Sequence, residues 1–428
     1  MREMKDSGVP WIGKIPKGWA LLRTKNQYRS RKSIAGDAAS QYERLALTLG
    51  GVIKRSKDDS TGLQPESFEG YQVLQEGELV FKLIDLENLA TSRIGFSPYT
   101  GIVSPAYVIL HPNEGVNARY GEYYFLSLWH RAIFNSLGDN GVRSNLNAGD
   151  LLGIPYVVPP IQEQNRIVYF LDTKCAEIDS ILEKTQASIE EYKKLKLSVI
   201  TEAVTKGVRD ERTMKDSGEE WIGEIPAEWK LSRVGLHFGI ILGKMLCSEP
   251  LAEDYTLEKY YCAANVHFTG VDNYDLKTMW FSPSEKEAFL VKKGDLLVVE
   301  GGAGAGGSAI VKNLSEKIYI QNSIMIVRPK VQSSAVYLRY VLESLVTRGY
   351  VDFACNKATI PHFTKDKLGQ VPFPLPEAAE QQEIAAYLDE KCAAIDSLIA
   401  SKETLIAELE AYKKSLIYEY VTGKKEVL

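Results

Sequence analysis

Two stretches of this chain are written twice, and that repeat constrains the fold more than any other feature. Met4-Lys5-Asp6-Ser7-Gly8, Trp11-Ile12-Gly13, Ile15-Pro16 and Trp19 return as Met214-Lys215-Asp216-Ser217-Gly218, Trp221-Ile222-Gly223, Ile225-Pro226 and Trp229, an offset of 210 with eleven of sixteen positions identical. Residues 159–205 match residues 376–422 at an offset of 217, without a gap and at 20 of 47 positions. Whatever one half folds into, the other must fold into as well. Gly77 and Gly294, Pro112 and Pro329, Tyr120 and Tyr337, and Pro155 and Pro372 also stand 217 apart. The seven extra residues of the second half therefore fall between Trp229 and Gly294. The middles share this skeleton but few side chains. Near-identical frames around divergent inserts suggest one scaffold carrying two different readers, against the plainer alternative of duplication followed by drift.

No Gly or Pro interrupts 161–206 or 378–422, and both stretches carry a heptad. In the first, Leu171, Ile178, Thr185, Tyr192 and Val199 alternate with Cys175, Leu182, Ile189, Lys196 and Ala203; in the second, Leu388, Ile395, Lys402, Leu409 and Leu416 alternate with Cys392, Ile399, Ile406, Lys413 and Tyr420. This spacing predicts two long helices with a coiled-coil seam centred on Leu171, Ile178, Leu182, Ile189, Leu388, Ile395, Ile399 and Ile406. The polar members Thr185, Lys196, Lys402 and Lys413 cost packing and are suited to fixing register or orientation. A helix of about 43 residues is roughly 65 Å long at ~1.5 Å per residue and needs a partner, of which its own repeat, running antiparallel, is the obvious one. The middles read as short strands over Glu78–Lys82, Ala106–Leu110, Asp295–Glu300 and Lys317–Val327, and as helices over Arg119–Phe134 and Ala335–Arg348. The expected fold class is α/β: two α/β domains joined and separated by two long antiparallel coiled-coil helices, with an internal pseudo-twofold repeat. The expected boundaries are 1–158 for the first domain, 159–207 for the central helix, 208–375 for the second domain and 376–428 for the distal helix.

Composition removes several classes. With 428 residues, 45% of them hydrophobic and 25% charged, there is apolar material for two or three cores, and disorder is excluded as the main state. The apolar runs fall far short of the ~18 residues a membrane span needs, and Met1–Gly18 is polar, unlike a secretion signal, so a cytoplasmic chain that touches no membrane is expected. Cys175, Cys247, Cys262, Cys355 and Cys392 are odd in number and scattered, which suits neither a disulfide framework nor a zinc site, so they are expected to be reduced thiols. A net charge of −5 argues at first sight against nucleic acid. Its distribution weakens that objection, because the acidic excess sits in 376–428 while 17–158 and 228–375 are nearly neutral with local basic clusters.

Gly302-x-Gly304-x-x-Gly307 has the glycine spacing of a dinucleotide or S-adenosylmethionine loop, but the residues after it lack helical periodicity and the position about twenty further on is Asn322 rather than an acid. A flexible turn near a ligand is the competing reading. His111, His130, His237, His267 and His362 have no metal-ligand spacing. No pattern of catalytic residues is found, and no cofactor or metal is expected. What remains are polar and basic loop segments: Lys54-Arg55-Ser56-Lys57, Ser92-Arg93, Gly141-Val142-Arg143-Ser144-Asn145, and Asn356-Lys357-Ala358-Thr359-Ile360-Pro361-His362. They combine potential base readers with small hydrogen-bonding groups. The candidate DNA contacts are Lys54, Arg55, Ser56, Ser92, Arg93, Arg143, Asn145, His267, Asn356, Lys357, Thr359 and His362. Arg143 and Asn145 map onto Ile360 and His362, so one scaffold position would hold different reading groups. Arg29-Ser30-Arg31-Lys32 is either a phosphate contact or plain surface.

With these residues in place, the chain resembles the specificity subunit of type I restriction-modification enzymes over essentially its whole length. Met-Lys-Asp-Ser-Gly-x-x-Trp-Ile-Gly-x-Ile-Pro-x-x-Trp at Met4 and Met214 is similar to that family's domain-opening segment. Pro-x-x-Glu-Gln-x-x-Ile with a following Leu-Asp, at Pro160–Asp172 and in altered form at Pro376–Asp389, is similar to its opening of the conserved helices. Glu377-Ala378-Ala379-Glu380 departs from Pro160-Ile161-Gln162-Glu163, which bears on the geometry of that joint. The resemblance implies two target-recognition domains reading a split site on double-stranded DNA, helices that dock two methyltransferase subunits and a separate motor-nuclease (restriction) subunit, and no catalysis by this chain. A self-contained methyltransferase using Gly302–Gly307 and a purely protein-binding coiled coil are the rivals.

Overall fold

The computed structural model of the chain describes residues 2–59, 65–84, 86, 93–137, 145–355 and 361–427. It divides into two compact units, Met1–Gln186 with Glu403–Leu428, and Ala187–Lys402. Each unit thus holds one divergent middle together with one end of each long helix.

In the first unit the strands are β1 (Met4–Asp6), β2 (Lys14–Pro16), β3 (Ala20–Arg23), β4 (Tyr28–Ser30), β5 (Arg44–Thr48), β6 (Gly51–Arg55), β7 (Gln72–Leu74), β8 (Leu79–Phe81), β9 (Ile94–Phe96), β10 (Gly101–Val103) and β11 (Val108–Pro112). Helices α1 (Ala118–His130), α2 (Ile133–Leu137) and α3 (Ala148–Gly153), strand β12 (Pro155–Val158) and the long helix α4 (Ile161–Lys206) follow. The repeated opening segment makes the β1-β2 hairpin, and β3 pairs with β12. One four-stranded sheet runs β4-β11-β8-β9 and a second runs β6-β5-β10-β7. The first sheet packs with α1 and the helix ends around Trp19, Phe81, Tyr124, Phe125, Tyr156, Leu171 and Leu416. The second sheet has its own smaller core of Leu45, Leu47, Leu74, Val80 and Ile109.

The second unit repeats the frame. It holds β13 (Met214–Asp216), β14 (Glu224–Pro226), β15 (Lys230–Arg233), α5 (Val234–His237), β16 (Phe238–Leu242), β17 (Thr256–Tyr261), β18 (Val266–His267), β19 (Gly270–Val271), β20 (Lys277–Phe281) and α6 (Pro283–Phe289). Then come β21 (Leu296–Val299), β22 (Ser308–Ile310), β23 (Tyr319–Ile320), β24 (Ile324–Pro329), α7 (Ala335–Thr347), α8 (Tyr350–Ala354), α9 (Lys365–Gln370), β25 (Pro372–Leu375) and the long helix α10 (Ala378–Val421). The sheet β16-β24-β21-β22 matches β4-β11-β8-β9, and the pair β15-β25 matches β3-β12. What differs is the second sheet, here β20-β17-β23 with the separate hairpin β18-β19. Tyr28 pairs with Pro112 and Phe238 with Pro329, so the offset is still 210 at β16. The seven extra residues therefore lie beyond Leu242, in the segment that builds the divergent sheet.

Two expected elements divide. Lys317–Val327 is two strands, β23 and β24, because Gln321, Asn322 and Ser323 bond one another in a turn and send the two strands into different sheets. Arg119–Phe134 breaks after α1, where Ala132 takes a left-handed conformation with φ 55°.

Buried hydrogen bonds explain why the frame tolerates so much change between its fixed points. Tyr120 Oη shares its one proton between the Val157 and Val421 carbonyls, at 3.2 and 2.9 Å, while its counterpart Tyr337 shares its own between Pro374 and Val204 at 3.0 and 3.2 Å. Tyr123 donates to Asp172 and Tyr340 to Asp389, at 2.6 and 2.7 Å. Trp19 Nε1 reaches Glu163 and Trp229 Nε1 reaches Glu380, and Gln164 and Gln381 each donate to the carbonyl five residues before them at 2.9 Å. The altered joint at Glu377–Glu380 keeps these bonds, since Glu380 and Gln381 are the residues that make them. Among the residues the two halves share are these, whose buried polar groups need a partner.

Leu171, Ile189 and Leu388 are fully buried, Ile178 and Ile395 nearly so, and Leu182, Ile399 and Ile406 half-buried. In the first unit Phe170 stacks on Tyr420, and further along Asp179 accepts both bonds of Lys413 at 2.6 and 2.7 Å. Numbers rise on α4 as they fall on α10, so these segments run antiparallel. The second unit shows the counterpart, with Lys402 over Tyr192 and Lys196 bonded to both Asp396 oxygens at 2.7 Å. Cys175 and Cys392 sit buried in the same two cores, and desolvation pushes their thiols up, Cys392 to about 11, which keeps them protonated and unreactive.

Candidate nucleic-acid interface

The divergent loops hang from equivalent backbone bonds. Leu146 N donates to Leu83 O at 3.0 Å in the first unit, and Phe363 N donates to Glu300 O at 2.6 Å in the second. Each tie joins the segment after a central strand, β8 or β21, to the loop leading into a short helix, α3 or α9. Asn147 and Thr364 cap those helices, which fixes where each loop ends. The structure thereby holds Leu146 beside Leu83 in the first unit, and Pro361-His362 beside Gly301 and Gly302 of the glycine turn in the second.

In the first unit Lys54 lies exposed on β6, an edge strand, with its ammonium 5.3 Å from the Tyr99 ring centroid. Gly95 of β9 has room for no side chain because Leu47 and Val52 press on it, and this contact holds the β5-β6 hairpin next to the strand that follows Arg93. Arg55 Nε donates to Asp59 at 2.8 Å, and exposed Ser56 accepts from Asp58 N at 3.1 Å. Lys57 is turned inward onto the Ala39 carbonyl. Asn145 is exposed. Arg93 departs from the expectation of a surface reader: it is 0% exposed and its guanidinium donates to the Ile84 carbonyl at 3.0 Å, so from this position it supports the loop instead of reaching a base. Arg29, Ser30, Arg31 and Lys32 are all exposed, on and just after edge strand β4. Ser92, Arg143, Asn356, Lys357 and Thr359 lie outside the described residues.

In the second unit three segments meet. The glycine turn after β21 is flanked on one side by Val266 of the β18-β19 hairpin, whose carbonyl lies 3.7 Å from where a Cβ on Gly307 would stand, and on the other by Pro361-His362, which bridges Gly301. His267, exposed on that hairpin, has Nε2 2.9 Å from the Ala264 carbonyl. Exposed His362 has Nδ1 3.3 Å from a carboxylate oxygen of Glu300. Glu300 was invisible to pattern reading, because it simply ends the apolar run Leu296–Val299 and its counterpart is Leu83. The turn itself leads into strand β22. The turn does not open a helix whose N-terminus could receive a phosphate, as a dinucleotide loop requires. Gly306, at φ 83°, is needed because a Cβ there would lie 2.8 Å from Val346 and Val351. Among the described residues no three His, Cys, Asp or Glu side chains gather as a metal site, and no helix is long and apolar enough to cross a membrane.

Two units with one frame, each with its own set of loops and each carrying ends of both long helices, define a class of duplicated, modular protein. Comparison with known proteins shows what it is similar to. The family described as type I restriction modification DNA specificity domain matches residues 227–411. The chain is 24% identical over 340 residues to the MjaVIII specificity subunit of Methanocaldococcus jannaschii, covering 76% of this chain and 75% of that one. It is 23% identical over 438 residues to the EcoKI specificity subunit of Escherichia coli, covering 96% and 90%. Among solved structures, a chain described under complex assembly and conformational transition of the type I R-M system superposes with a TM-score of 0.71 at 17% identity, covering 96% of this chain and 99% of that one. The HsdS subunit from Thermoanaerobacter tengcongensis gives 0.53 at 17%, covering 96% and 98%. Residues 227–411 thus match the type I restriction modification DNA specificity domain, and the chain is similar over most of its length to type I restriction enzyme specificity subunits.

Proposed function

We propose that this chain is the DNA sequence-specificity subunit of a type I restriction-modification complex. It reads a split duplex site with one reader for each half-site. Its long helices dock two methyltransferase subunits and the restriction subunit, and catalysis is left to them. One observation carries the proposal: a frame conserved to the level of single buried hydrogen bonds presents different polar loops from equivalent ties, Leu146 to Leu83 and Phe363 to Glu300. Such an arrangement suits a protein that must hold two readers alike while letting them read different sequences. The proposed domains are 1–158 and 208–375 for the readers and 159–207 and 376–428 for the helices, which pair as an antiparallel coiled coil.

The proposed contacts in the first half-site are Lys54, Arg55, Ser56, Ser92, Arg143 and Asn145, and in the second His267, Asn356, Lys357, Thr359 and His362. Nearly neutral readers make few phosphate contacts, so the isolated chain binds DNA weakly and gains affinity from the bound subunits. The test is selection of bound fragments from a random duplex library by the chain assembled with its methyltransferase partner. The expected product is two short defined sequences separated by an undefined spacer. Arg143→Ala relaxes one of them, at ~1–3 kcal/mol for a bidentate base contact, and changes at Lys357 or Thr359 relax the other. Equal effects of Arg143→Ala on both halves, or methyl transfer by the chain alone, would overturn the proposal.

A further inference from the structure

We propose that Glu300 and Gly301 hold the His362 imidazole in one tautomer and one orientation, so that its Nε2 accepts a hydrogen bond from the exocyclic amino group of a base in the major groove. The inference rests on the reading of this chain as a DNA-specificity subunit and adds the chemistry of one contact.

A surface histidine ordinarily turns freely. At His362 the backbone is held on both sides: Gly302 N donates to Pro361 O at 3.2 Å, Phe363 N donates to Glu300 O at 2.6 Å, and the His362 carbonyl accepts from Lys367 Nζ at 2.8 Å and from Cys355 Sγ at 3.1 Å. Phe363, next in the chain, is 1% exposed and anchors the loop in the core. The His362 side chain nevertheless stands 62% exposed, while the Glu300 carboxylate behind it is 16% exposed. One ring nitrogen is thus engaged from the protein side at 3.3 Å, and Nε2 has no partner among the described residues.

The chemistry follows from the partner. An ionised carboxylate only accepts, so Nδ1 must carry the proton, and a neutral ring then has its lone pair on Nε2. An acceptor in the major groove complements the amino group of adenine N6 or cytosine N4 and not the N7 and O6 acceptors of guanine. Gly301 is part of the device, because a Cβ there would stand 3.2 Å from His362 Nδ1 and crowd the ring where it faces the carboxylate, so that the ring must give by a few tenths of an ångström. Glu300 and Gly301 are positioning residues. His362 is the specificity-determining contact. The repeat supports a local device over a frame element, since Glu300 and His362 replace Leu83 and Asn145 of the first unit.

The experiment uses the full chain assembled with its methyltransferase partner at pH 8. Site selection with wild type and H362A identifies the base pair whose preference relaxes. Duplexes are then made with the amino group removed at that pair, purine replacing adenine or pyrimidin-2-one replacing cytosine. The expected loss is about tenfold for wild type and under about twofold for H362A. E300A and G301A behave like H362A, and E300Q, whose amide oxygen can still accept from Nδ1, keeps most of the discrimination. Ring 15N spectra of the histidine-labelled full chain should show His362 protonated at Nδ1 in wild type and moving toward the Nε2-protonated form in E300A, a change that a merely structural role would not produce. If wild type selects a split site but H362A relaxes no position, the inference fails and the function stands. It also fails if amino-group removal costs wild type and H362A alike, or if 7-deazaguanine is the substitution that couples to His362. If wild type selects no defined sequence, the functional reading itself falls, and this inference with it.

Discussion

At the scale of single residues, the groups that matter most to stability are polar atoms with nowhere else to bond. Tyr120 Oη is fully buried and serves two carbonyls, so Tyr120→Phe should cost about 1–3 kcal/mol, as should Tyr337→Phe, with the loss read as a lower midpoint in chemical denaturation. His130 supplies a pH dependence. Burial first, then Lys414 and Lys413, lower its pKa from 6.5 to about 4. Between those values the unfolded chain binds a proton that the folded chain refuses, so stability falls as pH falls through this window and is fully present above it. Denaturation at pH 7 and at pH 4.5 should show wild type losing about 2 kcal/mol more than His130→Gln. These roles were only partly legible beforehand. Tyr120 and Tyr337 stood out as a repeated pair, but their carbonyl partners come from the strand before one long helix and the end of the other. Arg93 was misplaced for the same reason: a basic residue in a polar segment looks like surface until the fold closes over it.

Among the elements, the helices were the easiest to read and their pairing partners the hardest. A heptad without Gly or Pro predicts α4 and α10 almost to the residue, because the period is local to the chain. Strands fared less well: Lys317–Val327 has one continuous preference, yet hydrogen bonding within Gln321–Ser323 turns it into two strands of two sheets. The lysines of the seam gain a physical role through Asp179 and Asp396. The Lys413 side chain is 28% exposed and Asp179 54%, so the pair itself is worth only about 0.5 kcal/mol, but its position opposes misregistered pairing. Lys413→Glu should therefore lower the denaturation midpoint, and adding Asp179→Lys should restore most of the loss. A double mutant no better than the single one would show that the pair does not set register.

For the whole molecule, the proposal is that helix length sets the distance between the half-sites. Its motivation is that the helical copies align without a gap while the seven extra residues fall in the segment that builds the divergent sheet. Four residues inserted near Gln186 would lengthen the helix by about 6 Å, roughly two base pairs at ~3.4 Å each. The insertion also shifts the seam as a stutter and changes the DNA twist between readers, so some affinity should be lost. Site selection with the insertion variant should return the same two half-site sequences around a longer spacer. Altered half-site letters with an unchanged spacer would reject the idea.

Local pattern in the chain was sufficient for the duplication, the two long helices and the family likeness, because identity at a fixed offset and a heptad period need no knowledge of what packs on what. Only the tertiary structure decided that each compact unit takes one end of both helices, that the extra residues build the divergent sheet, that Arg93 is enclosed, and that Glu300 stands behind His362 across sixty-odd residues of chain. Such contacts join positions far apart in sequence, and neither charge nor periodicity records which distant backbone will arrive to meet them.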